Sequence, residues 1–567
     1  MGLINKLLCY QRKYGSKYVL RKVYNRLCIK YYLGGKYFPC AVTETEREKQ
    51  TNWKPVCDKK ISLVVPLYNT AESFLRQLIN SVQSQTYANW ELCLVDASDE
   101  NQLEIEQMVR DYIQQDERIR YCKLSQNQGI SENTNRGLEM ATGDYMGLLD
   151  HDDILHPCAL FYVMQEIDKN HADFVYTDEL SFVNKTSQVQ SIHLKPDFST
   201  ESFRSNNYIC HFSVFDKKLL EQVGGFRREF DGSQDYDLFL RLTEQAKKVC
   251  HVARVLYYWR VHAGSVASEV GAKPYTIEAG KKALEEHLER ERLQAEVSAS
   301  EYGTFYHIHY KVAPENKIVI FTQGDTMTSR VMEQCRGLPY TIMVTSQEAL
   351  AKMTSDDWLS WDYVIFLREG YQPLQEKGEW ITELLECLQP KENLVAAPIV
   401  YDAAGKVYHA GYCYDTAFIE KIRPLYRGVP QGDPAYMNRL AFRQNVSLLG
   451  GAALAVKTQT IQQVWNNECE KNDFYQTVFS DVFWFSVCLS AKGQKGNCIM
   501  TPNVAFRCGK VQGKELLGSK SISGHTEWKQ FWKKWEDVLR LPDPHFNSWM
   551  LPFGKKYFLW DGRGNRQ

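Results

Sequence analysis

The chain has no apolar run approaching the roughly 18 residues that a helical bilayer span requires. Its N-terminus lacks an uninterrupted apolar stretch as well. Tyr10, Gln11, Arg12 and Lys13 break the run begun by Leu7 and Leu8, so a secretory signal is not expected. The 16 cysteines include no CxxC pair and no regular spacing, which argues against a zinc site or a disulfide framework and for free thiols in a reducing compartment. No glycine-rich, lysine-bearing phosphate loop follows the first strand-like run; Leu67-Tyr68-Asn69-Thr70 stands there instead, and a nucleotidyltransferase built on such a loop is set aside. Residues 1–43 contain no Asp or Glu at all.

What is present begins with length. A chain of 567 residues exceeds one ordinary domain. Its 44% hydrophobic and 24% charged content is that of a globular protein. The net charge of −1 conceals an asymmetry. Residues 1–43 hold nine basic residues (Lys6, Arg12, Lys13, Lys17, Arg21, Lys22, Arg26, Lys30 and Lys36). Setting those nine aside leaves 59 basic against 69 acidic residues, so the body is acidic by 10 charges. In the arm, Leu3, Leu7, Tyr10, Tyr14 and Tyr18 recur at helical steps between cations. Such a face suits an anionic leaflet, at about 1 kcal/mol per basic residue, or packing on the protein's own acidic body. Nucleic acid is not an expected partner, because the acidic body would repel phosphates.

From residue 61 the pattern alternates. Ile61 to Val65, Trp90 to Val95, Tyr121 to Leu124 and Tyr145 to Leu149 are short apolar strands. Helical spacing fills residues 72–84, 101–114 and 131–141 between them. This order predicts a parallel sheet with helices on both faces, and ligands in such sheets bind beyond the carboxyl ends of the strands. The polar residues fall there: Asn69, Asp96 and Asp150-His151-Asp152-Asp153. Three carboxylates within four residues repel one another unless a cation or proton neutralises them. Hard oxygen ligands suit Mg²⁺ or Mn²⁺; the same run also reads as a solvated loop with Asp153 capping a helix. Asp96 suits either the N3–H of a uracil or thymine ring or a turn. Asp235, in Ser233-Gln234-Asp235-Tyr236-Asp237-Leu238 at a helix start, suits a cap or a general base. Arg260 and His262, after Tyr257-Tyr258-Trp259, suit phosphate or metal contact.

In order and spacing, Val64-Val65-Pro66-Leu67-Tyr68-Asn69, Leu94-Val95-Asp96, Asn127-Gln128-Gly129-Ile130, Asn135-Arg136-Gly137, Gly143-Asp144 and Leu149-Asp150-His151-Asp152-Asp153 resemble the family-2 glycosyltransferases. Tyr176-Thr177-Asp178-Glu179, Gly224-Gly225-Phe226, the Asp235 run and Tyr258-Trp259-Arg260-Val261-His262 continue the resemblance, over about residues 60–270. It looks most like the bacterial branch that builds rhamnose-containing and other cell-surface polysaccharides. The resemblance implies a GT-A fold and inverting transfer from a UDP- or dTDP-sugar. Pro66, Tyr68, Asn69 and Asp96 fall where the family holds the nucleoside, with Asn135 also on the donor side. Asp150 and Asp152 fall on its DxD motif, Asp150 serving donor and metal, with His262 a further metal ligand. Asp235 falls on the base, and Arg260 and His262 in the loop that closes over the diphosphate. Asp178, Glu179 and Gln234 lie on the acceptor side. Gln234 replaces a Glu of many relatives, and Ala97-Ser98-Asp99 replaces an Asp-Gly-Ser sequence.

A second strand-helix region begins near Lys317 and resembles the same family weakly through residue 510. Arg368 stands where a metal motif would place an acidic or amide group, and only Glu369 remains. Asp481 is kept, and Phe483 replaces an expected second Asp. About 45 residues separate Ile318 from Tyr363, against roughly 85 between Ile61 and Tyr145, so a strand-helix unit is expected to be missing. A cation disfavours a metal there. The expected organisation is therefore α/β: tandem GT-A (Rossmann-like, mostly parallel) domains behind a basic helical arm. The arm takes residues 1–58, the catalytic domain 59–300, the degenerate domain 301–515 and a helical tail 516–567. The expected enzyme is metal-dependent (Mg²⁺ or Mn²⁺), cytoplasmic and peripheral to the inner face of the membrane. It acts on a glycan or lipid-linked glycan acceptor, with a homodimer through the second domain as a further expectation. A bifunctional enzyme and a non-enzymatic glycan-binding scaffold are the alternatives.

Overall fold

The computed structural model describes residues 39–99, 103–262, 274–350, 352–414, 422–468, 478–493, 495–509 and 526–547, with Met550 and residues 11, 12, 16, 19, 20 and 23. The stripe Leu3, Leu7, Tyr10, Tyr14 and Tyr18 lies outside the described residues. No helix among those described is long and apolar enough to cross a membrane.

The first sheet contains β1 (Ile61–Leu67), β2 (Trp90–Asp96), β3 (Ile119–Lys123), β4 (Tyr145–Leu148), β5 (Ile154–Leu155), β6 (Phe174–Phe182), β7 (Val189–His193), β8 (Ser213–Asp216) and β9 (Val249–Arg260). Its order is β3-β2-β1-β4-β8-β6-β9-β5, with β7 on β6. β1 and β2 are apolar and buried almost throughout, as strands covered on both faces must be. The helix Glu72–Gln83 covers one face through Leu75, Leu78, Ile79 and Val82. The helix Ile130–Met140 crosses the other closely at Gly137, where an added Cβ would stand 2.4 Å from Val64 Cγ1. Strands β1 to β4 are parallel, as the alternation predicts. β8 then enters antiparallel to both β4 and β6. The chain leaves β6 by the β7 hairpin rather than by a crossover helix, so it returns reversed.

After the helix Pro274–Arg290 comes a hairpin of β10 (Ala295–Ser300) and β11 (Gly303–Tyr310). A second sheet follows: β12 (Lys317–Thr322), β13 (Thr341–Ser346), β14 (Tyr363–Leu367), β15 (Tyr371–Pro373), β16 (Asn393–Tyr401), β17 (Val407–His409), β20 (Gln444–Asn445), β21 (Ala453–Lys457) and β22 (Asn497–Cys508), with a separate pair β18 (Tyr412–Tyr414) and β19 (Ile422–Pro424). Its order, β13-β12-β14-β21-β16-β22-β15 with β17 on β16, repeats β2-β1-β4-β8-β6-β9-β5 with β7 on β6. The strand directions repeat too. The sheet stops at β13, and no described strand stands where β3 stands in the first. Two short helices, Gln347–Leu350 and Ser355–Trp358, fill that interval.

The two sheets share a core. Leu180, Phe182 and Tyr258 belong to the same buried cluster as Trp358, Tyr412 and Trp484. The helix Thr526–Leu539 buries Trp528 and Phe531 against Phe485, and Trp535 donates to Ser486 Oγ at 3.2 Å. Residues 543–547 then bridge the halves. Asp543 accepts from Ser447 Oγ at 2.5 Å, and Asn547 Nδ2 donates to Asp178 Oδ2 at 2.9 Å.

Candidate active site

A pocket of about 470 Å³, counting its open mouth, lies at the carboxyl ends of β1 and β4. Pro66, Asp150, Cys210, His211, Gln234 and Asp235 line it. Asp235 sits in the first turn of the helix Gln234–Gln245, which Leu238, Leu240 and Leu242 bury against the sheet. No described residue donates a hydrogen bond to its carboxylate. Burial, then the nearby Asp150 carboxylate, push its pKa up to about 6, against the opposing pull of His211.

The acidic run divides its labour. Asp152 Oδ2 lies 2.8 Å from His262 Nε2. Cis ligands of an octahedral cation held at about 2.1 Å stand about 3 Å apart, so this pair fits a hard divalent ion. Asp150 is half exposed and faces His211 Nε2 at 3.5 Å instead. It closes no three-ligand group with Asp152 and His262. Asp153 is buried and braces the turn, accepting from Tyr257 Oη at 2.5 Å and Arg260 N at 2.6 Å.

Arg260 also departs from expectation. It is 2% exposed, donates from Nε to the Asp152 carbonyl at 2.6 Å and lies over the rings of Phe74 and Phe182. It therefore positions Asp152 from beneath, where the expectation placed it over a diphosphate. Tyr68, just beyond the end of β1, is exposed. Asn69 takes a left-handed φ of 47°, with its N–H on Ser98 Oγ at 2.8 Å and its side-chain amide on Asp99 Oδ2 at 2.9 Å. The Ala97-Ser98-Asp99 departure thus ties the ends of β1 and β2 together.

Asp96 is fully buried. Its carboxylate accepts from Ser98 N at 2.8 Å, Tyr121 Oη at 2.7 Å and Lys123 Nζ at 3.1 Å. Burial opposes its ionisation, but these donors outweigh it and hold the pKa below the ordinary carboxylate value. It ties the ends of β2 and β3 together from within. Asn135 is likewise engaged. Its amide donates to the Phe226 carbonyl at 2.9 Å and accepts the Phe226 N–H at 2.8 Å. That clamp requires Gly225, whose added Cβ would lie 2.5 Å from Asn135 Oδ1. Asn135 is a structural strut, because both ends of its amide are satisfied internally.

Of the three residues expected on the acceptor side, Gln234 lines the pocket, whereas Asp178 and Glu179 are buried away from it. Asp178 is buried between Lys195 N, His251 Nε2 and Asn547 Nδ2, at 2.8, 2.8 and 2.9 Å. Glu179 is buried and accepts from His211 N at 2.5 Å, with His193 Nδ1 at 3.1 Å and Lys195 Nζ at 3.5 Å. Alternation along β6 could have sent one of them outward. β9 on one side and β7 on the other flank this stretch, and His211, residues 193–195 and Asn547 close over the two carboxylates.

His211 was not legible in the sequence. It stacks on Tyr257 at 5.1 Å between Asp150 and Glu179; burial opposes its protonation, but Cys210 and then these two carboxylates outweigh it and raise its pKa well above the ordinary imidazole value. No periodicity or motif marks the run Asn206-Asn207-Tyr208-Ile209-Cys210-His211.

In the second sheet the corresponding strand end carries Arg368, with Nη1 at 3.6 Å from Asp481 Oδ1. Trp380, Tyr401 and Tyr412 of the second half are buried in its core.

The model of the family described as Glycosyl transferase family 2 matches residues 62–224. An uncharacterized protein of Sinorhizobium fredii is 32% identical over 495 residues, covering 78% of this chain and 52% of the relative. The O-antigen biosynthesis protein RfbC of Myxococcus xanthus is 29% identical over 389 residues, covering 62% of this chain and 30% of the relative. The GalNAc(5)-diNAcBac-PP-undecaprenol beta-1,3-glucosyltransferase of Campylobacter jejuni is 30% identical over 246 residues, covering 41% of this chain and 75% of the relative. The chain thus spans about half the length of the first and under a third of the second.

Proposed function

The chain belongs to the family 2 glycosyltransferases, and from that premise we propose that it transfers a sugar, with inversion, from a nucleotide-diphosphate donor to a growing cell-surface glycan. The observation that carries this reading is Asp235: a pocket-lining carboxylate with no described hydrogen-bond donor, held near pKa 6 beside Asp150. Such a group is matched to removing a hydroxyl proton near neutral pH.

In the reaction, Asp235 takes the proton of the acceptor hydroxyl. The oxygen attacks the anomeric carbon from the face opposite the diphosphate. The C–O bond to the diphosphate breaks, its electron pair leaves with the nucleotide, and the anomeric centre inverts. Asp152 and His262 would hold Mg²⁺ or Mn²⁺, which supplies charge stabilisation for the leaving diphosphate. Arg260 fixes Asp152 through its carbonyl. Tyr68, Asn69 and Pro66 rim the nucleoside side, and a UDP- or dTDP-sugar is the donor class.

A relative named as glucosylating GalNAc(5)-diNAcBac-PP-undecaprenol supports a lipid-linked acceptor, and the O-antigen biosynthesis protein supports a cell-surface glycan. The basic arm of residues 1–58 then brings the catalytic unit to the inner face of an anionic membrane. Residues 59–300 form that unit and residues 301–515 a non-catalytic second one, available for homodimer contact, with residues 516–567 as the tail.

The test is turnover of UDP- and dTDP-sugars with Mn²⁺ and a lipid-linked acceptor. Nucleoside diphosphate release that disappears in Asp235→Asn supports the proposal. Release of pyrophosphate, or full turnover in that variant, refutes it.

A further inference from the structure

A second cleft lies between the two sheets, on the far side of a wall it shares with the catalytic pocket. Residues 206–211 form that wall: Asn206 and Tyr208 line the cleft, and Cys210 and His211 line the catalytic pocket. The cleft holds about 510 Å³, counting its open mouth. Its floor comes from β20 of the second sheet, and one side from the helix Thr200–Ser205 of the first half.

Its chemistry is distinctive. The residues lining it include no carboxylate, so it does not suit a cation. Its two histidines, His193 and His545, are held below the ordinary imidazole pKa by burial, His545 to about 4, and are neutral at physiological pH. Arg443 already binds Glu383 and Glu386 at 3.1 and 2.6 Å, and Arg439 donates to the Leu194 carbonyl at 3.1 Å. The remaining polar groups are neutral amides and hydroxyls. Asn445 is 4% exposed and accepts the Glu201 N–H at 3.2 Å, which turns its side chain toward the helix Thr200–Ser205. Its Nδ2 has no partner among the described residues, and neither has Nε2 of Gln444, which is 9% exposed. Buried amide donors left unpaired are costly, so a native structure provides an acceptor for them. Beside them, Phe305 stacks on Phe442 at 4.9 Å and makes an aromatic side to the cleft.

Neutral donors and hydroxyls beside an aromatic face match one ligand chemistry. Sugar rings offer hydroxyl acceptors at their edges and apolar C–H faces to stack on aromatic rings. We propose that this cleft binds a neutral segment of the acceptor glycan, several sugars back from the reacting hydroxyl, across the wall of residues 206–211. The inference rests on the transferase reading only for the glycan's being the acceptor. In this arrangement the second sheet contributes a grip on the chain while the first performs transfer.

The test uses the full chain and defined neutral tetrasaccharides: β-1,4-glucan, chitin and α-mannan fragments. Binding is followed by saturation-transfer NMR and calorimetry, with and without saturating UDP, in the native protein and in Asp235→Asn. The expected result is binding of at least one fragment that UDP and Asp235→Asn leave unchanged. Ser202→Trp, which fills the cleft from the helix, is expected to weaken it about tenfold, the scale of one or two lost hydrogen bonds. Phe305→Ala, at a partly exposed ring, serves as the second variant should Ser202→Trp fail to fold. Competition by UDP, indifference to the folded cleft variants, or absence of binding to every fragment would overturn the inference. Transfer is read separately, by nucleotide release onto a single-sugar acceptor. A cleft that binds without transfer, or transfer without a cleft that binds, therefore tells the two proposals apart.

Discussion

The two sheets share strand order and direction and differ in what stands at the strand ends. In the first, Asp150 lies near Asp235, and like charge helps burial to raise the Asp235 pKa to about 6. In the second, Arg368 lies 3.6 Å from Asp481, so a cation faces the residue corresponding to Asp235. The second difference is β3. Tyr121 and Lys123 on β3 hold the buried Asp96 at the end of β2. β13 ends on Ser346 with no third strand beside it among the described residues, so nothing there corresponds to the support that β3 gives Asp96. Topology survives such changes because apolar strand cores maintain it; chemistry does not, because it depends on a few groups at one edge.

Asp235→Asn should break the comparison most severely. Turnover is expected to fall about 10²–10⁴-fold with donor binding retained, measured by nucleotide release and calorimetry. Next in size, Asp152→Ala and His262→Ala should each weaken metal-supported donor binding by at least about tenfold, and the deficit should vanish when Mn²⁺ is omitted. The pH profile follows from the raised Asp235 pKa. The base works ionised, so kcat/KM should fall about tenfold per unit as pH drops below about 6. A profile flat to pH 4 would remove Asp235 from that role.

Lys123→Ala tests the β3 support. Asp96 has a depressed folded pKa, so its contribution to stability is present above the unfolded value and is lost as pH falls through the folded one. The variant should therefore lose about 1–3 kcal/mol near neutral pH and less in acid, seen by denaturant unfolding. The smallest effect is expected from Asp481→Asn. Turnover at the first site should be unchanged, and loss of a second linkage from the product would instead establish a bifunctional enzyme.

Much of the first sheet was legible because β1, β2 and β4 are apolar runs ended by polar residues, and the helices between them carry regular spacing. The antiparallel β8 was not, since nothing local in Ser213–Asp216 states its direction. In the site, Asp235, Asp152 and His262 stand at element ends, where residue type alone marks them as candidates. Asn135, Asp178 and Glu179 were read as ligand-facing, yet their partners Phe226, Asn547 and His193 come from other parts of the chain and turn them inward.

The sequence by itself determined where chemistry would gather, because short buried strands place their polar terminators along one edge of a sheet. It also determined that the second copy carries a cation at that edge. Tertiary structure decided which of those groups stay available. Asp96, Asn135, Asp178, Glu179 and Arg260 are satisfied by donors and acceptors brought from elsewhere, and His211 enters the site from a stretch without a pattern. A buried polar group takes whatever partner packing supplies, and packing is settled by contacts between distant residues rather than by spacing along the chain.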